Sequence, residues 1–104
     1  AEALRAAHKR WPTGVFMLWY PVKDRPPVRR FHNALKSAAI PKLLMTDVLI
    51  QADDAPDRLN GCGLILVNPP WQLDRTIKGL LPWLGERLRQ AKGARTALGW
   101  LRPE

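Results

Sequence analysis

The sequence predicts an α/β fold, a parallel sheet between helices that finishes in an antiparallel hairpin. Residues 14–20 form an unbroken apolar run of strand length, which is typical of a strand covered on both faces in a parallel sheet. Helical patterns lie on both sides of this run. A turn-rich segment then separates two further strand patterns, residues 42–51 and 61–67, and it suits a hairpin better than a helical crossover.

Proline and glycine bound the first helix and the first strand. Residues 2–10 favour helix because alanine and leucine predominate, and Pro12 and Gly14 end that pattern. The apolar run follows, and we expect Pro21 to stop the strand. The chain begins at Ala1 with no capping residue before the helical pattern, so we expect it to be part of a longer protein.

Two further helical patterns complete the element order. The proline pair at residues 26–27 suits the first turn of a helix whose apolar positions recur at helical spacing. Residues 73–91 carry a second apolar stripe, and we expect Pro82 to kink this helix or to restart it as another. Gly93 fits its C-terminal cap, and residues 97–101 predict a short edge strand.

Size and charge limit the class of protein. A chain of 104 residues with 46% hydrophobic side chains matches one globular unit, which we expect to span residues 1–104. A net charge of +8 and a pI near 10.6 favour a polyanionic partner, RNA or DNA. The basic residues expected to contact a nucleic-acid backbone are Lys9, Arg10, Arg25, Arg29 and Arg30. An ordinary solvated helix face is the alternative for this set, and we prefer that interpretation for a second basic cluster in residues 87–95.

Several classes of site and location are disfavoured. Cys62 is the only cysteine, which rules out an internal disulfide and fits a reducing compartment. His8 and His32 have no partner at metal-ligand spacing, so we expect no metal site. No run approaches the roughly 20 apolar residues that cross a bilayer, and no signal pattern is present, so we expect a cytoplasmic protein without a membrane partner.

The most conspicuous motif is Asn68-Pro69-Pro70-Trp71, directly after a predicted strand. It resembles the motif with which adenine-N6 methyltransferases hold the adenine amino group and stack the base on an aromatic ring. The alternative is structural, a strand-to-helix turn in which Asn68 caps the helix and Trp71 packs on the core. We favour this structural interpretation.

Four segments in order, residues 17–23, 58–61, 66–71 and 81–84, carry a resemblance to one family. Nearly the whole chain resembles the C-terminal part of the bacterial 23S ribosomal RNA adenine-N6 methyltransferases, also described as proteins of external-DNA catabolism. The resemblance implies the C-terminal half of a Rossmann-like class I methyltransferase sheet, ending in an antiparallel hairpin. It also implies that the family's catalytic Asp-Pro-Pro-Tyr and its cofactor contacts lie upstream of Ala1, so that no catalytic residue is assigned in this chain.

Sheet topology independently separates the two ends of the predicted strands. Ligands of doubly wound sheets collect at the C-terminal ends of the parallel strands. If the strand 61–67 runs antiparallel, its C-terminal end with the Asn68–Trp71 motif lies at the opposite rim. Its N-terminal end then lies at the active rim. The resulting candidates for substrate binding are Tyr20, Pro21, Lys23, Asn60 and Gly61. Simple packing at the end of the strand is the alternative for the first three.

These observations lead to two hypotheses of function. In the first, the intact protein transfers a methyl group from S-adenosylmethionine to an adenine N6 of ribosomal RNA. This chain would complete the sheet and the substrate groove, without cofactor or activity of its own. In the second, motivated by the charge, it is a nucleic-acid-binding module linked to the use of external DNA. Expected partners are ribosomal RNA or DNA, the missing N-terminal half of the domain, and a second copy through exposed strand edges.

Overall fold

The computed structural model describes residues 2–38, 40–54 and 58–102. In chain order its elements are α1 (Glu2–Arg10), β1 (Phe16–Val22), α2 (Arg25–Ser37), β2 (Leu43–Leu49), β3 (Gly61–Val67), α3 (Leu73–Leu88) and β4 (Arg95–Arg102). The predicted α/β class, the order of the elements and the additional strand near the C-terminus are therefore confirmed.

The four strands form one sheet in the order β1-β3-β2-β4, in which every neighbouring pair is antiparallel. The predicted hairpin of β2 and β3 is confirmed, and β4 is an edge strand beside β2. The expected parallel pairing is wrong for these strands, because β3 lies between β1 and β2 and separates the two strands that run in the same direction. The turn-rich connection after β2 returns the chain for an antiparallel strand, and the apolar β3 is best buried in the middle of the sheet.

Helices cover the sheet on both faces, but unequally. α1 and α2 pack on one face, where Leu4 and Leu35 join the inward-facing residues of the strands in the main core. α3 packs on the other face, against β2 and β4. It leaves the same face of β1 uncovered, so Met17 is 68% exposed and Trp19 is 57% exposed. The expectation that this first strand is covered on both faces is therefore wrong within the described chain.

Prolines interrupt the elements less than expected. β1 continues through Pro21, which is aligned with Cys62 of β3, because an edge strand tolerates a residue that lacks an N–H group. α3 runs through Pro82 as one helix and ends at Leu88, three residues before the predicted limit. Gly93, with φ of 85°, lies in the turn before β4 instead of capping α3. The proline pair does fall in the first turn of α2.

Within the part of the chain that the structure describes, no helix is both long and apolar enough to cross a membrane.

Candidate functional site

One rim of the sheet gathers the residues predicted to bind substrate. The ends of β1 and β2 and the start of β3 meet there, since Val22 and Leu49 are both aligned with Gly61. The Asn60 N–H donates to the Val22 carbonyl at 2.8 Å, and the Asn60 side-chain amide donates to the Lys23 carbonyl. The structure therefore brings all five candidates to the same rim.

A groove of about 390 Å³ opens at this rim, between the end of β1 and the first turns of α2. Its lining residues are Tyr20, Pro21, Lys23, Asp24, Pro27, Val28 and Phe31. The rings of Tyr20 and Phe31 form one apolar wall, with centroids 5.2 Å apart and planes inclined at 57°. An apolar recess with a few charged groups is the usual composition of a small-ligand site. Three of the five predicted residues line this groove.

A buried hydrogen-bond chain lies behind the groove wall. The Tyr20 hydroxyl donates to the Asp47 carboxylate, which is 1% exposed. The Tyr20 hydroxyl has only this one proton to donate. The His32 Nε2, 2.9 Å away, therefore carries a hydrogen and donates it to the hydroxyl oxygen. Burial, and then the hydrogen bond to Asp47, raise the pKa of Tyr20 far above its usual value. Burial lowers the pKa of His32 although Asp47 opposes that shift.

An ion-pair cluster extends this chain toward the edge of the sheet. Arg25 contacts Asp53 at 2.7 Å and lies 3.9 Å from Asp47, while Arg95 donates to Asp53 at 2.8 Å. Burial by itself would raise the pKa of Asp53, but the hydrogen bond from Arg95 and the charge of Arg25 hold it below the usual range. The guanidinium of Arg25, predicted to contact a nucleic-acid backbone, is thus engaged within the protein.

Asn60 and Gly61 lie at this rim but do not line the groove. Asn60 is fully buried, and its side-chain oxygen accepts from Arg58 at 2.6 Å while its backbone carbonyl accepts from Ile50 at 2.9 Å. A Cβ at Gly61 would overlap the Val48 carbonyl oxygen. Both residues therefore hold the ends of three strands together.

The other members of the basic set remain at the surface. Lys9 and Arg10 end α1, and Arg29 and Arg30 lie on α2; all four are exposed on helices that cover the same face of the sheet. Their exposure leaves them available for contacts with phosphate.

The Asn68–Trp71 motif lies at the opposite rim, because Val67 at the end of β3 is aligned with Phe16 at the start of β1. The predicted turn is present, but two predicted details are wrong. Asn68 does not cap α3, whose N-cap is Gln72. Its side-chain amide instead donates to the Pro12 carbonyl at 2.7 Å and to the Gly14 carbonyl at 3.0 Å. Trp71 is 89% exposed, since the turn directs it away from the core.

Sequence reasoning missed the roles of Asp47 and Phe31 at the candidate site. A signal for Asp47 was present, because it is the only charged residue within the apolar strand β2 and faces the same side as Met45 and Leu49. Its partner Tyr20 is 27 residues away along the chain, so no local pattern links the two.

The described residues do not provide a fit for a nucleotide cofactor. The one Gly-x-Gly sequence, at Gly61 and Gly63, lies within β3, where a Cβ would collide with neighbouring strands. Two carboxylates near the rim, Asp47 and Asp53, are occupied by Tyr20 and by arginines, whereas Asp24 lines the groove itself. Within residues 2–38, 40–54 and 58–102, no three His, Cys, Asp or Glu side chains are grouped as metal ligands.

Comparison with known proteins gives the chain its family. The family model described as ribosomal RNA large subunit methyltransferase D, RlmJ, matches residues 1–102. The ribosomal RNA large subunit methyltransferase J of Escherichia coli (strain K12) is 33% identical over 103 residues, which cover 99% of this chain and 37% of that protein. The protein of the same name from Haemophilus influenzae is 29% identical, with coverage of 99% and 37%.

A solved structure shows the same fold. The crystal structure of a Legionella pneumophila protein assigned to the family model DUF519 superimposes with a TM-score of 0.81 at 21% identity, covering 95% of this chain and 36% of that one. The chain thus spans about 37% of the length of the curated relatives that it matches. Because the family model extends over nearly all of its residues, this chain belongs to the family described as ribosomal RNA large subunit methyltransferase D, RlmJ.

Proposed function

We propose that the intact protein containing this chain transfers a methyl group from S-adenosylmethionine to an adenine N6 of 23S ribosomal RNA. In this proposal the present segment completes the sheet and forms one wall of the substrate groove. The observation that carries it is the groove at the end of β1, lined by Tyr20, Pro21, Lys23 and Phe31, in a chain of an RNA methyltransferase family.

The groove suits a base with its attached phosphate. The tilted rings of Tyr20 and Phe31, with Pro21, offer an apolar surface to a base that has left its stack. Lys23 supplies a positive charge for the neighbouring phosphate. Because the Tyr20 hydroxyl is bonded to Asp47 and His32, Tyr20 shapes the wall and does not exchange a proton with substrate.

The unpaired edge of β1 supports the role in completing the sheet. β1 is the first strand in the sheet order, and Met17 and Trp19 on its outer face are largely exposed. An exposed apolar strand at an edge is a pairing surface. The matched region covers only 37% of the Escherichia coli relative, and we propose that the remainder of the intact protein extends the sheet at this edge. No cofactor contact is assigned to the present residues, so the methyl donor would be held by that other part.

The proposal is tested on the intact protein with unmodified 23S ribosomal RNA and isotopically labelled S-adenosylmethionine, followed by nucleoside mass spectrometry. We expect labelled N6-methyladenosine. Lys23→Ala should raise KM for RNA about 10-fold, since a phosphate contact is lost. Lys78→Ala, an exposed lysine on α3, which covers the other face of the sheet, is the matched control and should leave KM unchanged. Absence of label from adenine N6 with the wild-type protein would refute the assignment.

A second function is favoured by a separate observation, the exposed basic side chains of α1 and α2. In that case the protein binds RNA or DNA without catalysis and takes part in the use of external DNA. It predicts salt-sensitive binding of duplex DNA as tight as that of ribosomal RNA, together with no methyl transfer. Methyl transfer to ribosomal RNA with weaker DNA binding would decide for the methyltransferase.

A further inference from the structure

A second cleft lies at the rim opposite the substrate groove. It has a volume of about 360 Å³, within the range of small-ligand sites. Two tryptophans line it, Trp71 of the turn after β3 and Trp100 of β4, together with Lys42 and Asp74. Trp71 is 89% exposed and Trp100 is 43% exposed. Such exposed rings contribute little to the core, so their placement is not explained by folding.

The backbone around this cleft is held in an uncommon conformation. Among the described residues, the non-glycine positions with positive φ are Lys42 at 56°, Asn68 at 54° and Gln72 at 67°, and all three border the cleft or its turn. Residues with a side chain rarely adopt this region unless their surroundings impose it, as they do at many ligand sites. The Asn68 amide donates to two carbonyls of the loop before β1, which fixes the turn that presents Trp71.

The lining defines the chemistry of the ligand. An indole ring stacks on the flat face of any nucleobase, and two such rings beside a lysine form a typical contact for single-stranded nucleic acid. The net charge of +8 attracts the phosphates of a nucleic acid to the protein. Asp74 repels phosphate from the cleft itself, so the base enters and its phosphate stays outside. A base in a duplex has both faces stacked, so the ligand is an unpaired nucleotide.

We propose that this cleft is a second RNA-binding site, which stacks one unpaired base on Trp71 and Trp100. It would hold the substrate RNA at a point distant from the base that is methylated. The site rests on the proposed function only in that its ligand is RNA. Its role is docking, and the reacting adenine occupies the groove at the other rim.

The test measures the binding of a fluorescent decamer of adenylate RNA to the intact protein by anisotropy. Trp71→Ala and Trp100→Ala should each weaken binding about 5- to 150-fold, the range for the loss of one base–aromatic stack. Trp71→Phe should retain most of the affinity because it keeps a stacking ring. The matched control is Trp83→Ala, a 56% exposed tryptophan on α3 outside the cleft, which should bind as the wild type does.

Two further readouts separate stacking from altered folding or charge. The salt dependence of binding should be the same for Trp71→Ala as for the wild type, because no phosphate contact is removed. A decamer carrying 2-aminopurine should lose fluorescence on binding the wild type and regain it with Trp71→Ala. The melting temperature of Trp71→Ala should not fall, since this ring lies outside the core.

Wild-type affinity in Trp71→Ala, or an equal loss in Trp83→Ala, would overturn the proposal. It would also be overturned if light scattering showed that Trp71→Ala dissociates a dimer, or if acrylamide failed to quench Trp71 in the free intact protein, because either result places protein in the cleft. The decamer assay does not depend on methyl transfer. A wild-type protein that stacks the decamer but does not methylate ribosomal RNA would refute the proposed function and leave the docking site standing.

Discussion

Tyr20 links the groove at the end of β1 to the buried interior. Its ring forms part of the groove wall, while its hydroxyl joins His32 and Asp47 beneath. Asp47 is almost fully buried, and such a carboxylate is tolerated only when its oxygens are satisfied. The shape of the groove therefore depends on a hydrogen-bond chain that lies behind its wall.

Removing the hydroxyl should destabilise the fold. Tyr20→Phe leaves the Asp47 carboxylate without its closest donor and the His32 N–H without an acceptor, so we expect the free energy of unfolding to fall by about 3 kcal/mol. Urea denaturation measures it. In a double-mutant cycle with Asp47→Asn, the two losses should be clearly non-additive. Additive losses would mean that the hydroxyl and the carboxylate do not interact.

His32 should make stability depend on pH. Its pKa in the folded protein is lowered by burial, so between that value and about 6.5 the unfolded chain binds the proton that the folded protein does not. Stability is therefore complete above pH 6.5 and decreases as the pH falls below it, by at most about 1.4 kcal/mol per pH unit. Urea denaturation between pH 7.5 and 5 should show this decrease. His32→Gln should flatten it, whereas His8→Gln on α1 should not.

At the scale of elements, β3 is positioned by its glycines. The Tyr20 ring crosses directly over Gly63, and a Cβ there would overlap both that ring and the Asp47 carboxylate. The central place of β3 in the sheet thus requires a residue without a side chain at this point, and the buried hydrogen-bond chain occupies the space that results.

Two glycine-to-alanine changes should have opposite effects. Gly63→Ala should lower the free energy of unfolding by about 3 kcal/mol because β3 and Tyr20 must separate. Gly79→Ala should raise it by about 1 kcal/mol, because Gly79 lies within α3 and its added Cβ meets nothing within 4 Å. Thermal unfolding of both variants checks the pair. A stable Gly63→Ala protein would contradict the packing described for Tyr20.

At the scale of the whole molecule, the two faces of the sheet differ in what they expose. The exposed basic residues of α1 and α2 lie on one face of the sheet, whereas the uncovered apolar side of β1 belongs to the other face. The α1 and α2 face thus carries the residues predicted to contact phosphate, and the uncovered side of β1 is the surface available to the remainder of the domain. The expected self-association through strand edges stays a prediction. It would involve β1 or β4, which are the edge strands of this sheet.

Charge reversal distinguishes the two basic clusters. Arg29→Glu with Arg30→Glu should weaken RNA binding by the intact protein and reduce the slope of log affinity against log salt by about 1.5 to 2. Arg89→Glu with Lys92→Glu makes the same change in net charge at exposed positions near the end of α3 and should have a much smaller effect. A salt titration of RNA binding gives both slopes. Equal effects would mean that only net charge matters.

Local pattern was sufficient for most elements of this fold. Apolar runs and helical spacing predicted α1 and β3 at their observed bounds, and the turn-rich segment predicted the antiparallel return of β3. The same reasoning placed Lys23 and Asn60 at one rim and Asn68 at the other, because the direction of a strand decides which end lies where. These features follow from periodicity and strand direction, which are properties of neighbouring residues.

Contacts between distant residues were decided only by the tertiary structure. The placement of β3 between β1 and β2 depends on how three strands share one sheet, and periodicity contains no such information. Asn68 bonds the loop before β1, more than 50 residues away, so its true partners could not be read from the cap pattern beside it. Trp71 was expected in the core for its apolar character, yet the turn held by Asn68 leaves it in solvent. The motif helped to identify the family by its residues, whereas the tertiary structure alone decided which carbonyls Asn68 bonds and that Trp71 lies in solvent.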